Sequence, residues 1–107
     1  MTADHNEIFE LLGVEKGALT IQRVEISAWG TEVQLDCAYE GDPFQLLFED
    51  VRSLQWDVRG YPDERDEHAD VLGIFLGERD HREAAIIVTD VCEIAILYGE
   101  MMLLKVW

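Results

Sequence analysis

Cations are scarce in this chain. Lys and Arg total 8 among 107 residues, against 23 Asp plus Glu, for a formal net charge of −15. That balance excludes a nucleic-acid surface, which is built from clustered Lys and Arg, and it opposes an anionic membrane. Cysteine is nearly absent as well. Cys37 and Cys92 lie far apart, neither in a CxxC, and each sits in an apolar alternation where Cys behaves as a small hydrophobe. No disulfide framework follows, and no local signature sets a His beside either thiol to make it a nucleophile. No apolar run approaches the ~20 residues of a membrane span. The start, MTADHNEIFELLGVEKG, has neither the basic opening nor the long apolar stretch of a secretory signal, so the expected compartment is the cytoplasm. Gly-rich phosphate loops, Ser-His-Asp spacings and nucleophile elbows are missing too. These absences point to a protein that is not an enzyme and uses no cofactor.

Apolar residues make up 49% of the chain, enough for one core in one acidic β-rich domain spanning residues 1–107. A short helix is expected at the start. Asp4 can cap it, Glu7 completes a capping box, Ile8, Phe9, Leu11 and Leu12 form its apolar stripe, and Gly13 stops it. After Gly17 the period falls to two. TEVQLDCAYE alternates Val33, Leu35, Cys37 and Tyr39 with Glu32, Gln34, Asp36 and Glu40, as a half-buried strand does. Neighbouring segments align on it as a four-stranded meander. A tight turn at Gly30-Thr31 sets Ala28, Ile26 and Val24 opposite Val33, Leu35 and Cys37. A turn at Gly41-Asp42 sets Phe44, Leu46 and Phe48 opposite Tyr39, Cys37 and Leu35. A loop over Asp50 to Arg52 sets Leu54, Trp56 and Val58 opposite Phe48, Leu46 and Phe44. Ile26, Leu35, Leu46 and Trp56 should then share one buried face.

The second half is more apolar. DVLGIFLG reads as a central strand, AAIIVTD, CEIAILY and MMLLKVW follow, and Gly99-Glu100 is the turn between the last two. The fold class is therefore all-β, mainly antiparallel, with about eight strands in a sandwich or open barrel and one short N-terminal helix. Trp29, Trp56 and Trp107 are placed as core or rim aromatics.

Two acidic phrases, Glu64-Arg65-Asp66-Glu67-His68 and Glu78-Arg79-Asp80-His81, invite a metal reading. A strand of about eight residues separates them, so their loops lie about 25 Å apart and cannot share an ion. Neither has the EF-hand order, and zinc lacks a ligand set, so no metal is expected.

The outer face of the meander carries the remaining signal. Glu25, Glu32, Asp36, Glu40, Glu49 and Asp57 share it with only Arg23 and Arg59, and the alignment opposes Glu25 to Asp36. Leu47, opposite Asp36, stands among these carboxylates as an apolar anchor within a polar rim. The partner-face residues are thus Glu25, Asp36, Leu47, Glu49 and Asp57. Two stretches, PFQLLFEDVRSLQW and DVCEIAILYGEMMLLKVW, resemble the matching segments of small acidic all-β bacterial proteins. Some of those are uncharacterised and some are grouped with toxin-immunity proteins. The resemblance implies stoichiometric binding of a protein and carries over no functional residue. The expected function is non-catalytic binding of a basic protein partner, with immunity to a toxin as its concrete form. The rivals are a small-molecule or cation-binding β domain and a protein that forms a homodimer through an apolar sheet face.

Overall fold

The alternating segments become strands in the computed structural model of the chain, which describes residues 7–58 and 69–107. A helix, α1 (Glu7–Leu12), precedes β1 (Leu19–Ser27), β2 (Glu32–Tyr39), β3 (Asp42–Glu49), β4 (Ser53–Val58), β5 (Ala69–Phe75), β6 (Ala85–Thr89), β7 (Cys92–Leu97) and β8 (Glu100–Lys105). The eight strands form an antiparallel sheet in the order β4-β7-β6-β5-β1-β2-β3-β8. Only Thr20–Asp70 and Ile21–Ala69 pair β1 with β5, so the sheet folds at that join into two halves. One half holds β1, β2, β3 and β8, and the other holds β5, β6, β7 and β4. The sheet is open, with β8 and β4 as its ends.

The core lies between the halves. Val33, Leu35, Leu46 and Phe48 come from one side, and Ile87, Ile94 and Ile96 from the other, all fully buried. Phe48 meets Tyr98 edge-on, with ring centroids 5.0 Å apart. Helix α1 adds Ile8, Phe9 and Leu12 to the same cluster. It stops where expected. Gly13 has φ +73, its N–H donates to the Glu10 carbonyl, and the Val14 N–H donates to that of Phe9, the paired bonds of a Schellman cap. The Lys105 ammonium donates to the Leu12 carbonyl, a cation at the negative helix end. The capping residue Asp4 lies outside the described residues.

The meander needs correcting in three places. First, both tight pairings keep the expected faces but slip by two residues. Val24 lies opposite Leu35 and Ile26 opposite Val33, while Leu35 lies opposite Leu46 and Cys37 opposite Phe44. The loops cause the slip. The β1–β2 connection is a wider turn in which Ala28, Trp29 and Gly30 all have positive φ, and the β2–β3 turn is Glu40-Gly41, both left-handed as a type I′ loop requires. A slip of two preserves every face, so Leu35 is fully buried, but Ile26 at the strand end stays 50% exposed.

Second, β4 does not pair with β3. It crosses to the other half and pairs with β7, setting Trp56 opposite Ile94, where it remains 44% exposed. Val51 is the reason. It is buried, so the Asp50–Arg52 link turns inward as a corner and not outward as a hairpin tip. Third, β7 and β8 make the same crossing at Tyr98-Gly99, and β8 takes the place beside β3. Here Gly99 packs on Asp50, whose Oδ2 lies 2.8 Å from where a Cβ would stand.

The β6–β7 hairpin is held by one buried hydroxyl. Thr89 Oγ1 accepts from the N–H groups of Val91 (3.1 Å) and Cys92 (2.9 Å) and donates to the Cys92 carbonyl (3.0 Å).

Candidate functional site

The outer face of the β1-β2-β3-β8 half is a grid fixed by register. One row runs Glu25, Gln34, Leu47, Met102, and the next runs Arg23, Asp36, Gln45, Leu104. Beyond the first row stand Glu32 on β2 and the directly opposed pair Glu49 and Glu100. This face brings together Glu25, Asp36, Leu47 and Glu49, as the sequence predicted, but not in the expected contacts. Glu25 lies opposite Gln34, and Asp36 opposite Arg23, so the predicted Glu25–Asp36 clash does not exist. Leu47 faces Gln34 and Met102. Asp57 leaves the face altogether. Because β4 pairs with β7, Asp57 sits opposite Glu93 on the outer side of the other half. Glu40 is spent on the turn, where its Oε1 accepts the Ala18 N–H.

The carboxylates of this grid differ in how they are held. Asp36 Oδ1 accepts from both Gln34 Nε2 and Gln45 Nε2, each at 3.0 Å, so amides and not cations fix it in place. The Arg23 guanidinium faces it across the strands yet lies 3.8 Å from Glu25, in an exposed pair that contributes little. Glu49 and Glu100 have the like-charge opposition that a sheet disfavours. Beside these charges, Leu47, Met102 and Leu104 form an apolar seam along β3 and β8, with Met102 44% and Leu104 48% exposed.

One further residue belongs here. Trp29 is fully exposed at the tip of the β1–β2 turn, with φ 63 and ψ 23. A large aromatic in the left-handed region at full exposure gains nothing from packing and costs about 1–2 kcal/mol. Such residues are typical binding anchors. The expectation of core or rim packing is wrong for Trp29 but fits Trp107, which stacks on Tyr39 at 6.1 Å. Trp29 escaped sequence reasoning because a turn residue takes no part in an alternation. Met102 and Leu104 escaped it because β8 was not expected beside β3.

The first acidic phrase, Glu64 to His68, lies outside the described residues. The second forms a small hairpin closed by a Glu78–Glu83 bridge, with Asp80 and His81 left-handed at its tip. It docks on the corner at Asp50 and Gly99, where His81 Nε2 donates to the Asp50 carbonyl at 2.7 Å. Among the described residues, no three His, Cys, Asp or Glu are grouped to hold a metal ion.

Neither cysteine is placed for chemistry. Both are buried. Burial, and secondarily the charge of Asp36, pushes the Cys37 thiol up from 9.0 to about 12. Two outcomes follow. Neither thiol should react with an aromatic disulfide reagent at about pH 8 until denaturant is added; rapid reaction in the native state would contradict the burial. The folded-state value is raised, so the contribution of Cys37 to stability is complete below pH 9 and is lost as pH rises toward 12. Denaturation midpoints measured across that window should fall, and Cys37→Ala should flatten the slope.

Two surface hollows lined by described residues have volumes of about 120 and 250 Å³. Ligand pockets commonly start at about 300 Å³. No protein-family model and no curated protein matches the chain. Among solved structures, the fold is similar to the crystal structure of an uncharacterized protein from Neisseria gonorrhoeae. The match has a TM-score of 0.54 at 12% identity and covers 83% of this chain and 92% of that one. At that identity the likeness concerns architecture, and it places this sheet in a fold that a bacterial protein also adopts.

Proposed function

We propose that this protein binds a basic protein partner without catalysis, through the outer face of the β1-β2-β3-β8 half. The observation that carries this reading is the grid itself. The apolar seam of Leu47, Met102 and Leu104 is bordered by Glu25, Glu32, Asp36, Glu49 and Glu100, with Arg23 the cation beside them among the described residues; Arg59, which the sequence also assigns to this face, lies outside those residues. An apolar strip within a charged rim is the usual anatomy of a protein interface, and a face of one sign speeds encounter with the opposite sign. Trp29 at the same end supplies an aromatic face for a Lys or Arg side chain. Immunity to a toxin is the concrete form we favour, on the sequence resemblance described above.

The test is co-expression with the products of genes adjacent to its own, then association kinetics for any complex formed. Glu100→Lys should stabilise the free protein by about 0.2–1 kcal/mol, because it turns a like-charge pair into an opposite one. The same change should slow association, and moderate NaCl should slow the wild type. Trp29→Ala should leave stability unchanged or slightly raised while speeding dissociation. A partner bound by Glu100→Lys and by Trp29→Ala at wild-type rates would move the interface elsewhere.

A second reading is favoured by the other half. Its outer face carries the row Phe75, Ile86, Ala95 across β5, β6 and β7, with Val88 and Leu97 alongside. Self-association there would appear as a concentration-dependent mass in sedimentation equilibrium.

A further inference from the structure

We propose that the open edge of β8 takes an extended, basic segment of the partner as an additional strand; this rests on the protein-binding reading above and specifies how the partner engages. Among the described residues β8 pairs with β3 alone and ends the sheet. An antiparallel ladder directs the N–H and C=O groups of alternate residues to opposite sides, so half of the β8 groups point to the open edge. Natural edges are blunted by Pro, bulges or inward charges. The run Glu-Met-Met-Leu-Leu of β8 has none of these over residues 100–104, and the inward-facing Lys105 that ends the strand opposite Phe44 is tied to the Leu12 carbonyl. Its six pairs with β3, Phe44–Lys105 through Glu49–Glu100, run without a register shift, whereas β1 and β5 both carry one.

Both faces of this edge are apolar. Met101 and Leu103 pack against the core from the inner side and remain part exposed, and Met102 and Leu104 stand on the outer side. A strand added here would extend the rows that end at Met102 and Leu104. Side chains on one face of it would continue the outer row of Glu100, Met102 and Leu104, where basic residues meet the Glu49–Glu100 pair, and its alternate, apolar side chains would fall beside Met101 and Leu103 on the inner side.

Charge decides the occupant. A second copy would bring another net −15 to the same edge, and the opposed Glu49 and Glu100 already repel each other at its start. A basic segment removes that repulsion. It also fits β-strand addition, in which main-chain bonds supply affinity and alternate side chains supply selectivity.

The experiment titrates the whole protein with three synthetic peptides and reads affinity by calorimetry and amide hydrogen exchange by residue. The first peptide alternates Lys with Val. The second has the same sequence with alternate amides N-methylated. The third is polylysine of equal length. The Lys-Val peptide should bind and slow exchange of edge-facing β8 amides, and N-methylation should weaken it by about tenfold or more, one lost set of main-chain bonds. Met102→Pro with Leu104→Lys should abolish the effect while thermal unfolding stays cooperative. Equal binding of all three peptides without β8 protection would overturn strand addition and leave the acidic-face reading standing. No binding by any peptide would overturn both. A dimer whose β8 amides are already protected would replace the basic segment by a second copy.

Discussion

Leu35→Ala should destabilise the protein by about 2–5 kcal/mol, the range for a large-to-small change at a buried site. Leu35 is fully exposed to neither solvent nor strand edge: it is wholly buried in β2, between Val24 on β1 and Leu46 on β3. Its side chain points at the opposite sheet half, where Ile87, Ile94 and Ile96 are also wholly buried. Removing the isopropyl end leaves a void in the middle layer, between the two sheet halves. Urea unfolding followed by fluorescence measures this directly. The companion change Asp36→Ala, one residue along but on the outer face, should cost far less, because it removes a surface carboxylate whose Gln34 and Gln45 partners can turn to water. Equal losses at the two positions would mean that the faces of β2 are assigned the wrong way round.

Gly77→Ala should cost about 3 kcal/mol, more than any other glycine substitution in a turn among the described residues. Gly77 has φ +67, and a Cβ there would lie 2.4 Å from the Glu83 carbonyl oxygen and 2.6 Å from that of Ala84. Both are backbone atoms, so no side chain can swing aside. The hairpin of residues 78–83 would have to open, and with it the bond from His81 to Asp50. Gly13→Ala is the control, since its φ is +73 but nothing lies within 4 Å of the added carbon. It should show only the left-handed penalty of about 1–2 kcal/mol. The difference between the two variants isolates the clash from the dihedral strain.

Periodicity told which face each residue takes, and it was right from Val33 to Phe48, because alternation records only inside and outside. It could not tell which strand is the neighbour. Leu54, Trp56 and Val58 satisfy an apolar partner equally well in Phe48, Leu46 and Phe44 or in Ile96, Ile94 and Cys92, and the structure takes the second set. The local hairpin is the natural first choice for consecutive strands. What defeats it is β8, which competes for β3 from far along the chain, and Val51, whose burial bends the link inward. The candidate face inherits both outcomes. Glu25, Asp36, Leu47 and Glu49 stay together because they lie on strands whose neighbours were found. Asp57 is lost with β4, and Met102 and Leu104 arrive with β8.

The pairing of β3 with β8 also sets an order of assembly. Phe44 and Lys105 are neighbours in the sheet but roughly sixty residues apart in the chain. During synthesis β3 therefore emerges long before its partner, and Phe44, Leu46 and Phe48 wait on a strand with one unsatisfied side. Contacts of such long range are made late, after their loop-closure cost has been met by other pairings. The nascent protein passes through a stage in which a strand carrying three core side chains, Phe44, Leu46 and Phe48, is an edge, and its dependence on chaperones should be greatest in that interval.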